Sequence, residues 1–361
     1  MQRQSKAMND DRRSPHITAL GLIAIILFAA SLYWLRVLVA PMAFSLFLMA
    51  LVWPVYQHRM LKGKRALRVL ALVIAVLLVL IATSAILLLM GYGVRVVVDG
   101  LSQYGPRAQE TYYSIGMWVE ERGIAFWPTA GDPFSLSQVF HLLHETVMRI
   151  NAIIGFMALS LIFLILGLLE ANDMQRRLPH ALGEDVAGRL LSACHALGWK
   201  FRRYMLVRSV VSFLTGILTW LFALLTGLDL AIAWGILAFA LNYIPFLGSI
   251  LAVFPPVIFS VVQFDSWQDP ALILLGMTLI QFSIGNLLDP KLEGHALAIS
   301  PISVVFSIFF WGMLWGIPGA FMGVPLLIAI VTICHHFHDT CWITRMLTPG
   351  GRKPPHSSTW R

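Results

Sequence analysis

Apolar blocks too long for a water-soluble core set the terms on which this chain can fold. Seven stand out: Ile17–Val55, Ala66–Tyr92, Ile150–Leu169, Ser209–Thr226, Leu230–Val262, Ala271–Leu288 and Pro301–His335. A bilayer core of about 30 Å takes about 20 helical residues. Each block is near that length or well beyond it. The chain as a whole is 58% hydrophobic and only 12% charged, whereas a soluble domain carries about 25% charged residues. Too little polar surface remains to face water, so lipid must solvate much of the chain. The reading is an all-α polytopic membrane protein of about eight membrane segments.

The net charge of +8 could suggest nucleic-acid binding, but the basic residues cluster between the apolar blocks, which is the pattern of membrane topology. Residues 1–16, 57–68, 171–208 and 339–361 hold 20 of the 26 Lys and Arg. Segment 93–149 has four basic and six acidic residues. The positive-inside rule puts both termini in the cytoplasm and 93–149 outside. Ile17–Val55 has room for two helices, with a turn at Arg36–Pro41. Because apolar sequence runs on to Val55, Ile17–Ala30 reads as an uncleaved first helix rather than a signal peptide.

The resulting organisation is a basic tail (1–16), three membrane helices (17–92), an extracytoplasmic helical segment (93–149) and a fourth membrane helix (150–170). A cytoplasmic basic amphipathic segment (171–208), a membrane core (209–335) and a basic tail (336–361) complete it. Within 133–149, Leu136, Val139, Phe140, Leu143 and Val147 share one helical face, as a helix lying against the bundle would need. Within 186–204, an apolar face of Val186, Leu190, Leu197 and Phe201 sits beside Arg and Lys, which suits a helix on the cytoplasmic membrane surface.

Leu230–Val262 and Pro301–His335 are half again too long for one span, and each is broken near its middle. Ile244-Pro245, with Gly248 behind it, interrupts the first; Gly316-Ile317-Pro318-Gly319 interrupts the second. Proline removes a backbone donor and clashes with the preceding turn, so a kink or reversal is expected. Non-helical backbone survives at membrane depth only inside protein or beside a wet cavity. Two versions remain open: eight spans, or six crossings and two re-entrant hairpins. The lack of Lys and Arg in 263–269 favours the hairpins. Their tips, at Pro245 and Pro318, would enter from opposite faces and could meet near the midplane, where Gly248, Gly316 and Gly319 allow close backbone approach. On this reading a Gly319→Leu change impairs transport more than folding.

No nucleophile–base set, phosphate-binding loop or zinc-protease motif is visible, so no enzyme and no cofactor are expected. His335-His336-x-His338 beside Cys334 reads as an interfacial cluster rather than a metal site. Polar groups inside apolar blocks are more telling, because they are costly in lipid. Asn242, just before the Pro245 break, can satisfy freed carbonyls or offer a ligand a donor and an acceptor. Gln281 and Asn286 lie in the next block, and Asp289 and Lys291 could pair locally.

The run Trp234-Gly235-Ile236-Leu237-Ala238-Phe239-Ala240-Leu241-Asn242-Tyr243-Ile244-Pro245, then Gly248 and Pro255-Pro256, resembles the signature of the autoinducer-2 exporter family. Gly285-Asn286, Asp289-Pro290, Gly294, Trp311-Gly312, Trp315-Gly316, Gly319 and Val324-Pro325 resemble its second signature, and Tyr204 with Arg208 matches a Tyr-then-Lys pattern with Arg in place of Lys. Pro41-Met42 and Trp53-Pro54 depart from the family's Pro-Phe and Asn-Pro pairs. The resemblance implies a bacterial inner-membrane protein forming a homo-oligomer, a pentamer, with two hairpins as substrate-binding elements in an elevator-like cycle. It implies export of a small polar solute, autoinducer-2 among the candidates, or alternatively sodium or lithium/proton antiport. Asn242, Tyr243, Pro245, Gly248, Asn286, Asp289, Pro318 and Gly319 are then the candidate substrate-binding residues. A non-transporting scaffold is the alternative from another class; it predicts that Asn242, Asn286 and Asp289 do not converge on a cavity.

Overall fold

The computed structural model describes residues 14–60, 65–123, 136–293, 299–337 and 340–347. These residues are almost entirely helical, with no strand among them. The helices are α1 (Ser14–Trp34), α2 (Arg36–Met60), α3 (Arg65–Glu120), α4 (Leu136–Leu182), α5 (Glu184–Leu225), α6 (Ala231–Leu241), α7 (Leu247–Gln263) and α8 (Gln268–Ser283). After α8 come a π-helical turn (Ile284–Leu288), α9 (Asp289–Glu293), α10 (Pro301–Trp315), α11 (Ile317–His336) and α12 (Cys341–Leu347). Six segments are long and apolar enough to cross a membrane, and four shorter apolar helices accompany them. The protein is an all-α multi-pass membrane protein.

Three boundaries differ from those the sequence suggests. The first break falls at Leu35 rather than Arg36–Pro41, and the Leu35 and Val39 amides still reach Ser31 and Leu35 carbonyls at 2.9 Å each. The backbone ladder persists through the joint, and α2 contains both Pro41 and Pro54. Segment 93–149 is not a separate unit: α3 spans 56 residues, about 84 Å at 1.5 Å per residue, and α4 resumes at Leu136. The residues between them, 124–135, lie outside the described residues. Segment 171–208 is likewise no surface helix of its own. It forms the end of α4 and the start of α5, which reverse at Gly183 (φ 80) in the left-handed region that glycine reaches without a Cβ clash. Turn residues, not changes in polarity, end these helices. The basic tails 1–13 and 348–361 are outside the described residues.

Both overlong blocks fold back as antiparallel pairs. In α10–α11 the Ser307 hydroxyl donates to the Gly323 carbonyl at 2.7 Å, and a Cβ on Gly319 would lie 1.9 Å from the Trp311 carbonyl oxygen. These pairings converge on Gly316 (φ 70). Gly316 makes this turn, while Pro318 sits in the first turn of α11, where a missing N–H costs nothing. In α6–α7, Gly248 backs onto Leu241, with a Cβ 1.8 Å from its carbonyl oxygen. The Trp234 and Phe259 rings lie 5.5 Å apart. Here Pro245 is within the tip, and Phe246 takes φ 61, a strained setting for a bulky residue.

The two tips are staggered rather than apposed. Tyr243 and Ile244 at the first tip meet the flank of the second hairpin. The Tyr243 ring is 6.2 Å from Phe321, and Ile244 packs on the cluster of Phe47, Ile308, Met322 and Val324. The second tip extends past this level, with Leu314 and Trp315 packing with Leu32, Ala40 and Phe156. Its arms of 15 and 20 residues reach farther than the 11-residue α6.

One charged residue in the bundle has a purely structural task. Pro54 has no N–H to offer the Ala50 carbonyl four residues back; Arg202 on α5 donates to that oxygen at 2.8 Å. Gly198 leaves room for the approach. An Arg202→Met change is therefore expected to destabilise the protein by about 1–3 kcal/mol. Adding Pro54→Ala should restore most of the loss in thermal unfolding, because the helix then supplies its own donor. A double variant no more stable than Arg202→Met alone would remove this assignment.

Candidate functional site

α5 carries the site's spine. Its buried residues include Tyr204, Val207, Arg208, Val211, Ser212 and Thr215, a three–four spacing that keeps them on one helical face. Ser212 and Ser209 on this helix hold the first hairpin's tip. Asn242 Nδ2 donates to Ser212 Oγ at 3.2 Å, and the Tyr243 hydroxyl to Ser209 Oγ at 3.1 Å. Asn242 is buried, so this bond prevents the cost of a desolvated amide.

Asp289 arrives from the other side. At the end of α8 the helix widens into the π-helical turn, and the Asp289 amide reaches the Ile284 carbonyl. Such widening adds a residue to one turn and re-aims the side chains beyond it. The Asn286 side chain donates to the Phe282 carbonyl at 3.1 Å. Asp289 does not pair with Lys291, which is exposed; its Oδ2 meets the Arg208 guanidinium at 2.9 Å, with both side chains largely buried. The Arg208 guanidinium also lies 5.7 Å from the Tyr204 ring centre. Asp289 Oδ1 has no hydrogen-bond partner among the described residues. Arg203 on α5 fixes the adjoining backbone, donating to the Leu292 carbonyl at 2.9 Å.

These groups border a cavity of about 870 Å³. Tyr204, Arg208, Asn242, Pro245, Asn286 and Asp289 are among its lining residues, with Ser249, Thr278 and Gln281. Asn242, Asn286 and Asp289 thus converge on one space. Tyr243 and Gly248 sit in the tip beside it. Gly316, Pro318 and Gly319 do not line it; they form the turn and close packing of the second hairpin, whose Val304, Val324 and Ile328 supply apolar wall. The sequence points to Arg208 only through resemblance, and it does not single out Ser209 or Ser212. Polar residues at the start of an apolar block look like a solvated helix end, and only tertiary contact shows otherwise.

The first hairpin's base is clamped at its far end. The Tyr104 hydroxyl donates to the Asp229 carboxylate, Arg107 donates to the Gln263 carbonyl at 3.1 Å, and the Gln263 side chain bridges Asp229 and Gly227 backbone groups. The hydrogen bond to Asp229, with burial second, pushes the Tyr104 phenol above its usual range. At the end of α11, His336 Nδ1 lies 2.8 Å from the Thr332 carbonyl; His338 lies outside the described residues.

A family model described as the AI-2E family transporter matches residues 22–339. The chain belongs to the AI-2E transporter family. The AI-2 transport protein TqsA of Escherichia coli (strain K12) is 29% identical over 329 residues, covering 87% of this chain and 90% of the relative. A candidate transport protein of Haemophilus influenzae is 24% identical over 321 residues, covering 87% and 91%. A candidate transport protein of Borreliella burgdorferi is 37% identical over 187 residues, about half of each chain (51% and 52%). Like other AI-2E family members, this chain is a membrane transport protein.

Proposed function

We propose that the cavity at the first hairpin's tip is the transport site for a small polar solute, exported from the cytoplasm. Autoinducer-2, named in the TqsA relative, is the first candidate. The observation that carries this reading is the convergence of Asn242, Asn286 and Asp289 on one cavity, which also weighs against an inert scaffold. A hydroxyl-rich neutral solute needs donors and acceptors rather than net charge, and a closed Arg208–Asp289 pair leaves the site close to neutral. The hairpins serve as the moving elements of an elevator-like cycle within a homo-oligomer. The orientation follows the basic residues: both termini cytoplasmic in a bacterial inner membrane, and the C-terminal half of α3 outside.

Sodium or lithium/proton antiport remains the second reading, favoured by an Asp289 Oδ1 with no partner among the described residues. Purified protein in liposomes separates the two. Labelled autoinducer-2 should show counterflow, and Asn242→Leu should lower it about 10-fold or more, since a solute hydroxyl buried against leucine then has no partner there. A sodium-driven proton flux with no solute counterflow would replace this reading by the second.

A further inference from the structure

The cavity is larger and more apolar than a small polar solute requires. At about 870 Å³ it approaches the upper end of the roughly 300–1,000 Å³ typical of drug-sized ligands. Its charged groups, Arg208 and Asp289, lie at one end with Asn242, while Ser249, Thr278 and Gln281 dot the rest of the wall. The remaining wall runs along α7 and α8, where Ile250, Phe254, Ile258, Leu274 and Phe282 line the space and are each about half exposed or more. On α7 these residues recur every fourth position, which is one helical face. From Ser249 to Ile258 the wall is about 14 Å long at 1.5 Å per residue, near the depth of one leaflet of a core about 30 Å thick.

We propose that this cavity binds a single-chain amphiphile with a hydroxylated head, taken sideways from the bilayer between α7 and α8. The inference rests on the reading of the cavity as the transport site. The head lies at Arg208–Asp289, where the buried Asp289 Oδ1 has no donor among the described residues and a hydroxyl supplies one. The chain fills the apolar slot, whose walls otherwise lose dispersion contacts. Moving a chain from lipid into an equally apolar slot gains little, so selectivity comes from the head.

The test uses the full-length protein in liposomes with a monoacylglycerol carrying a photoreactive group on its chain. Labelling should map to the α7 and α8 walls and saturate. Unlabelled monoacylglycerol should compete, and the methyl ester of the same chain, which has no hydroxyl, should compete about 10-fold less well. Ile250→Trp, which fills the slot, should remove the saturable part. Labelling that never saturates, or equal competition by the ester, would mean bulk lipid contact and overturn the proposal. So would efficient disulfide cross-linking between copies through Ile250→Cys, which would put a neighbouring subunit on the rim. Solute counterflow in the same liposomes separates the two readings. Flux without saturable labelling removes the amphiphile and leaves the polar-solute site; saturable labelling without flux does the reverse.

Discussion

Arg208→Met is expected to abolish transport and to cost about 3–5 kcal/mol of stability, the range for removing one partner of a buried ion pair. The Arg208–Asp289 contact is 2.9 Å, and the two side chains are only 7% and 14% exposed. Methionine would leave the Asp289 carboxylate desolvated and without its cation. Asp289→Leu should also be costly, since it takes the carboxylate away from the largely buried Arg208 guanidinium. The double variant Arg208→Met/Asp289→Leu should recover most of the stability, because an apolar pair of similar volume is often no worse than the ion pair. It should not recover transport if these groups meet the solute. Melting temperature and counterflow on all three variants form one cycle. Additive losses of stability would show that the two side chains do not depend on each other.

That pair also shows where the sequence was readable. Periodicity and length were enough for a membrane fold, because lipid leaves so few ways to satisfy a backbone. The two reversals were legible too, since 33 and 35 apolar residues with a proline or glycine break cannot sit as single spans. Helix ends outside the membrane were not. α3, α4 and α5 continue far beyond any bilayer, and a polar stretch of helix resembles a loop or a surface helix when polarity alone is weighed. Asp289's partner was hidden for a different reason. Lys291 is two residues away in sequence and Arg208 is 81, yet residues two apart on a helix do not face each other. That rule argued against the local pair, but only the packing of α8 and its π-helical turn against α5 could supply the distant one. The resemblance puts Gly319 among substrate-binding residues; its neighbours are the Trp311 backbone and the Trp315 side chain of its own hairpin.

Gly319 therefore leads to a different expected result from the one its sequence setting suggests. A Cβ there would lie 1.9 Å from the Trp311 carbonyl oxygen and 2.9 Å from the Trp315 Cβ. The first obstacle is backbone, which cannot rotate away, so α10 and α11 must separate. Separation would stretch the Ser307–Gly323 hydrogen bond of 2.7 Å four residues further along. Gly319→Ala is expected to destabilise by about 1–3 kcal/mol, the usual cost of overpacking, even though alanine favours a helix over glycine by up to about 1 kcal/mol. Gly319→Leu should fail to fold before it can fail to transport. Gly91 on α3 provides the internal control, since a Cβ there meets nothing within 4 Å. Gly91→Ala should leave the melting temperature unchanged or raise it through helix propensity alone. If thermal unfolding in detergent gives Gly319→Ala the same melting temperature as Gly91→Ala, the arms of the second hairpin are not in contact at Gly319. The antiparallel packing that defines this hairpin would then have to be redrawn.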